Sequence, residues 1–166
     1  MDLLIVRHGP AGTREAFAMT GQSDDLRPLT DDGIRQFTKA ARGLHRIVNH
    51  IDAIATSPFV RAQQTAVILG ERYAMPVVET EVLLPDAPYT KFAPWIKKST
   101  TANVVAIVGH EPHLSGLVAW LIGDKEARIE LKKGAACLVR LDRTVQRGAG
   151  TLRWLLAPDQ LRAIHK

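Results

Sequence analysis

Leu3-Leu4-Ile5-Val6-Arg7-His8-Gly9-Pro10 joins an unbroken apolar run of β-forming residues to an abrupt polar stop. A run without polar alternation predicts a strand buried on both faces, as in a parallel sheet. Three later runs repeat the pattern: Ile51 to Ala55, interrupted only by Asp52 and stopped by Thr56-Ser57-Pro58; Pro76-Val77-Val78; and Val104 to Val108, stopped by Gly109-His110. Helical spacing separates them. Ile34, Phe37, Ala41, Leu44 and Val48 recur on one face after Thr30-Asp31-Asp32, an N-cap followed by two first-turn acids. Val60 to about Tyr73 reads as a second helix, with Ser57 as its cap and Pro58 at its start. Leu114, Leu117, Val118, Leu121 and Ile122 mark a third behind Pro112, a favoured first helical position. Strands alternating with helices predict a parallel sheet with right-handed crossovers.

Toward the other end the period changes. Ala135, Cys137, Val139 and Leu141 alternate with Ala136, Leu138, Arg140 and Asp142, and Gly148-Ala149-Gly150 leads into Thr151 to Leu156. This predicts a terminal pair of strands forming an antiparallel edge. The fold class is therefore an α/β three-layer sandwich with a mostly parallel central sheet. Residues 9–30 lack periodicity and carry scattered turn formers, as expected of a long functional loop.

The chain has 166 residues, of which 46% are hydrophobic, enough for one packed core. Residues 1–157 are expected to form that domain and residues 158–166 a C-terminal tail. A single cysteine, Cys137, precludes an intramolecular disulfide and points to a reducing compartment. The first residues have an acid at position 2 and only four apolar residues in a row, unlike a signal peptide. No stretch approaches the ~18 apolar residues of a spanning helix. A cytoplasmic location is expected. The 22 basic and 17 acidic residues give a net charge of +5. Residues 1–83 hold 9 basic and 10 acidic side chains, while residues 84–166 hold 13 and 7, so the surplus lies entirely in the second half. That surplus, Lys97-Lys98 and Lys132-Lys133 included, is read either as steering an acidic phosphoprotein or as a solvated face.

In open parallel sheets, ligands bind beyond the carboxyl ends of the strands. There the sequence places Arg7-His8-Gly9, then Ser57-Pro58 with Arg61 one turn on, then Gly109-His110-Glu111. Two helices also begin at that edge, and their free N–H groups favour an anion. The expected occupant is a phosphate. Arg7 and Arg61 can grip its oxygens with paired donors, and a neutral histidine nitrogen can attack phosphorus. His8 and His110 are both chemically able to do so, the other then stabilising the charged oxygens. No metal or other cofactor is required.

These residues resemble the histidine phosphatase (phosphoglycerate mutase-like) superfamily. Its Arg-His-Gly signature is matched by Arg7-His8-Gly9, its Ser-Pro-x-x-Arg-Ala-x-Gln-Thr block by residues 57–65, and its Gly/Ser-His block by Gly109-His110. The resemblance runs from residue 2 to about 156. It implies a phosphoglycerate mutase-like fold, with His8 as the phosphorylated nucleophile, Arg7 and Arg61 as phosphate ligands and His110 as the second pocket histidine. Only residues 80–102 separate the third and fourth strands, which implies that no large insertion subdomain is present. Leu26-Arg27-Pro28-Leu29-Thr30 together with the Ser57 block resembles the small bacterial phosphohistidine phosphatases of the SixA type, which dephosphorylate histidine on phosphotransfer proteins. Arg27 and Ser57 join the substrate-binding set on that basis. Many relatives place a Glu after the third strand as general acid; here Asp86 is the nearest match.

Competing readings are weaker. A small phosphate ester is the alternative substrate on the same site, and a non-catalytic module binding phosphate or nucleic acid through the basic half is a different class. The nucleophile block favours the enzyme. His110 and His113 are three apart, as metal ligands can be, but Pro112 marks a loop-to-helix corner and no third ligand is near. His113 is assigned to the rim or surface, and His45, His50 and His165 to helix surfaces or the tail. Cys137 to Arg143 matches the Cys-x5-Arg spacing of cysteine phosphatases, but the intervening residues have no glycine for a phosphate loop, so Cys137 is assigned to the core.

Overall fold

The computed structural model describes residues 1–99, 102–124, 126–142 and 144–164. Six strands form one sheet: β1 (Asp2–Arg7), β2 (Ala53–Thr56), β3 (Val77–Glu79), β4 (Val104–Gly109), β5 (Ala136–Leu141) and β6 (Gly150–Leu156). Their order is β3-β2-β4-β1-β5-β6. The first four are mutually parallel, and β5 and β6 run antiparallel as the expected edge.

Alternate residues of β1 explain its lack of polar alternation. Leu3 and Ile5 enter one core with β4, α4 (Phe92–Ser99) and α5 (His113–Ile122), and Leu4 and Val6 enter a second with α2 (Asp31–Ile47) and α3 (Val60–Tyr73). All four side chains are fully buried. Each such burial contributes about 1.5–3 kcal/mol, so the central strand must be apolar on both faces. In β5, Cys137, Val139 and Leu141 join the first core while Ala136 and Leu138 face the second, as their alternation predicts.

Three local expectations are corrected. Residues 9–30 are not wholly irregular: α1 (Arg14–Ala18) is capped by Thr13, whose hydroxyl accepts from the Ala16 amide at 3.2 Å, and Asp24–Leu26 form a 3-10 turn. The start of that loop is fastened to α2. The Thr30 amide donates to the Pro10 carbonyl at 3.1 Å, and a Cβ on Gly33 would lie 2.0 Å from the same oxygen, so only glycine permits the approach. Pro112 sits at the N-cap of α5 rather than its first turn. Finally, residues 158–164, expected as a tail, form α6 (Pro158–Ile164), with Leu161 buried in the second core. Lys166 and His165 lie outside the described residues.

If α6 is an integral part of the domain, Leu161→Ala should cost about 2–5 kcal/mol, as for other buried leucines. Urea denaturation measures this; a loss below about 0.5 kcal/mol would make the helix an appendage.

Candidate functional site

The pairing of strands extends one step beyond their ends. Arg7 is level with Gly109 in the register, and the His8 amide then donates to the Gly109 carbonyl at 3.0 Å. On the other side of β4, the Ser57 amide donates to the Val108 carbonyl at 3.0 Å. These bonds hold His8, Ser57 and His110 against one another although they come from three distant parts of the chain. The His8 and His110 ring centroids are 5.2 Å apart. Around them opens a pocket of about 700 Å³, whose lining includes Arg7, His8, Arg27, Arg61, Asp86 and His110.

His8 has a defined tautomer. Its Nδ1 lies 2.7 Å from the Gly9 carbonyl oxygen, which can only accept, so Nδ1 carries the proton and Nε2 keeps the lone pair. The Gly9 amide in turn donates to the Thr65 hydroxyl at 3.0 Å, and that hydroxyl donates to the Arg61 carbonyl at 2.7 Å. The backbone orienting His8 is thereby tied to the helix carrying Arg61. Burial is the main cause that pushes His8 down to about 3; the Gly9 bond opposes it, and Arg61, Arg7 and Lys133 reinforce it. Burial likewise pushes His110 down to about 2, with His8 and Arg61 adding to the effect. Both rings are therefore neutral near pH 7, and desolvation outweighs the arginines as the reason.

His110 Nε2 is 2.8 Å from the Ser57 hydroxyl, while its Nδ1 is buried without a partner. Ser57 was expected to cap the next helix. Instead α3 begins at Val60 with the apolar Phe59 in the cap position, and Ser57, two residues ahead of it, accepts from the Phe59 amide at 3.4 Å while its hydroxyl also meets His110. Phe59 closes this side, its ring 5.0 Å from that of His110 and 4.9 Å from the Arg61 guanidinium carbon.

The arginines are fixed by oxygens. Arg7 donates to the Leu131 carbonyl at 2.6 Å. Arg61, 5% exposed, donates to the Asp24 carbonyl at 2.7 Å and pairs with the Asp24 carboxylate at 3.2 Å. Arg27 is buried too; it donates to Asp24 at 2.8 Å and to the Ala11 and Gly12 carbonyls. Asp24 thus holds two pocket guanidinium groups, and the Arg27 hydrogen bond is the first cause of its lowered pKa. Asp24 lies in the aperiodic stretch 9–30; Arg27 is three residues on, but Arg61 is 37 residues away, and no local pattern brings it to Asp24. The Nε atoms of Arg7 and Arg61 are buried without partners, donors available to an added oxyanion.

Asp86 is exposed at the rim. His113 corrects an expectation: it is 2% exposed, packed against Tyr89 at 5.1 Å between ring centroids, and not a surface residue. His45 meets Tyr73 with the two rings tilted and 4.9 Å between centroids, and His50 pairs with Asp52 at 2.6 Å; neither lines the pocket. Among the described residues no three His, Cys, Asp or Glu are grouped to hold a metal ion. Cys137 is buried, which pushes its thiol up to about 12, leaving almost no thiolate near neutrality; Arg143 lies outside the described residues. No described helix is long and apolar enough to cross a membrane.

The chain is similar to several known proteins. The pattern of the histidine phosphatase superfamily (branch 1) matches residues 3–84. The phosphohistidine phosphatase SixA of Escherichia coli (strain K12) is 29% identical over 167 residues, covering 98% of this chain and 97% of that protein. An uncharacterised protein of Picosynechococcus sp. is 32% identical over 137 residues, 80% of this chain and 81% of its own. A solved structure of the protein histidine phosphatase SixA complexed with tungstate superposes with a TM-score of 0.82 at 28% identity, over 97% of this chain and 99% of that one.

The neutral histidines predict a pH dependence of stability. An unfolded imidazole takes up a proton near pH 6.5, whereas the folded His8 and His110 resist protonation until about 3 and 2. Below pH 6.5 the unfolded chain therefore binds more protons, and stability falls as pH falls, by up to about 1.4 kcal/mol per pH unit for each ring. A His8→Asn, His110→Asn double variant should lose less stability between pH 6.5 and 5 than the parent, measured by urea unfolding. Parallel slopes would show that the rings protonate within the fold.

Proposed function

We propose that this chain, which belongs to the histidine phosphatase superfamily and is a phosphatase, removes phosphate from phosphohistidine on a protein through a covalent phospho-His8 intermediate. The observation that carries the mechanism is the His8 tautomer. With the proton held on Nδ1 by the Gly9 carbonyl, Nε2 offers its lone pair inside a ring of cations. In the first step Nε2 bonds to phosphorus as the P–N bond of the substrate breaks, and the electron pair leaves with the substrate imidazole. In the second, water attacks phosphorus, the P–Nε2 bond breaks, and inorganic phosphate departs. Arg7, Arg61 and His110 are assigned to the phosphoryl oxygens, whose charge they compensate in both transition states. Arg27 supports this set from the wall, and Ser57 fixes the His110 ring.

Two features support a protein substrate. The overall likeness to the E. coli phosphohistidine phosphatase spans nearly both chains. In addition, the segment between β3 and β4 is occupied by two 3-10 turns and the short α4 without a subdomain over the pocket. A phosphohistidine ring can take a solvent proton on its second nitrogen and leave as neutral imidazole. An alcohol ester has no such site and needs an acid on the leaving oxygen. Exposed Asp86 at the rim is the group assigned to that task, and it keeps a small phosphate ester as the second reading.

Given a phosphohistidine protein as donor, the parent chain should form an acid-labile phosphoryl adduct, and His8→Ala should form none, with turnover lowered by ~10³-fold or more. An equal adduct on His8→Ala would overturn the assigned nucleophile. Asp86→Asn should slow turnover of sugar phosphates and nucleotides more than turnover of phosphohistidine. Faster turnover of any such ester by the parent chain would instead establish the second reading.

A further inference from the structure

Part of the pocket wall is made by the turn before β5, whose position is set by the strand that carries Arg7 and His8. The Gly134 amide donates to the carbonyls of Arg7 at 3.2 Å and His8 at 3.0 Å, and the Ala135 amide closes the turn on the Lys132 carbonyl at 2.8 Å. Gly134 has φ +80, a conformation suited to glycine, which lets the chain fold back so soon before the strand. Of the two lysines just before it, Lys132 is not part of the pocket and Lys133 lines it. Lys133 is exposed at the mouth and forms no ion pair among the described residues.

We infer that Lys133 is a further substrate-binding cation of this pocket, one that contacts the phosphoryl group together with Arg7 and Arg61. The inference deepens the proposed reading of the same site and rests on it only for the identity of the substrate. The charge balance favours it. Arg61 and Arg27 share the carboxylate of Asp24, so much of their charge is offset before any ligand arrives. Lys133 has no such partner and stands within electrostatic reach of Arg7, Arg27 and Arg61. A cation placed beside three others is unfavourable in the empty pocket and becomes favourable once a dianion enters. Partial desolvation at the edge of the pocket lowers its pKa first and those arginines second, and a bound phosphate would reverse the second effect. A lysine also suits the mouth of the pocket. Its flexible stem can follow the phosphoryl group between donor and His8, whereas the guanidinium groups of Arg7 and Arg61 are anchored to carbonyl oxygens.

The test is calorimetric titration of the full chain with inorganic phosphate, alongside kcat/KM on a phosphohistidine protein. Lys133→Ala should raise the dissociation constant for phosphate about tenfold. Lys133→Arg should stay within about threefold of the parent, and Lys132→Ala should match it. Thermal melts confirm folding, and the surface position of Lys133 predicts little change. Parent-like phosphate binding by Lys133→Ala would overturn the inference, as would an equal loss in Lys132→Ala, which would mark a general surface-charge effect. Failure of the parent chain to turn over phosphohistidine, with phosphate affinity still dependent on Lys133, would refute the proposed substrate and leave the cation's role in place.

Discussion

The parallel register of β1 and β2 on β4 is the constraint from which the pocket follows. With Arg7 level with Gly109 and Thr56 level with Val108, three strands end in one layer, and the next residues of each are delivered to a common edge. A slip of one residue in β1 would do more than move His8. It would turn Leu3 and Ile5 toward the core now filled by Leu4 and Val6, exchanging every side chain between the two faces. Hydrophobic packing, which has no chemical role, therefore fixes the position of the chemical groups. The bonds from His8 to Gly109 and from Gly134 to His8 extend the same constraint into the loops.

Burial does two opposed things at this edge. It keeps His8 and His110 neutral, as a nucleophile requires, and it makes the arginines costly to hold there. Asp24 resolves the second problem for Arg27 and Arg61, and the Leu131 carbonyl eases it for Arg7. The compensation is incomplete by design of the geometry: the Nε atoms of Arg7 and Arg61 remain buried and unpartnered. An oxyanion can accept from these donors, and its charge offsets that of the guanidinium groups.

What could be read from the sequence was what short-range rules govern. Apolar runs located β1 to β4, alternation and a glycine turn located β5 and β6, helical spacing located α2 and α5, the Ser57-Pro58 start located α3, and the rule of strand ends gathered Arg7, His8, Arg61 and His110, which the structure does bring together. The errors have a common origin in tertiary contacts. Ser57 has the composition of a cap, but His110 competes for its hydroxyl. His113, beside a proline at a helix start, looks exposed until Tyr89 and its surroundings cover it. Asp24 meets Arg61, and the turn carrying Lys133 meets the Arg7 and His8 carbonyls, across long stretches of chain for which no local pattern exists. The C-terminal segment was too short and too polar to signal a helix, since only Leu161 anchors it in the core.

The basic surplus of the second half also divides on structural lines. Only one of its lysines, Lys133, lines the pocket among the described residues, and the arginines that grip the site come from the half with a slight acidic excess. Bulk charge and site charge are thus separate properties. The floor of the pocket is built from strand ends and cannot shift without disturbing both cores. Its walls come from loops: Asp24 and Arg27 from one, Pro85 and Asp86 from another, Lys133 from a third. These loops lie outside the paired register of β1, β2 and β4, so the floor and the walls of the pocket rest on different parts of the chain. That separation is why Arg7, His8, Arg61 and His110 stand out in three short motifs at strand ends, while Asp24, Asp86 and Lys133 of the walls do not.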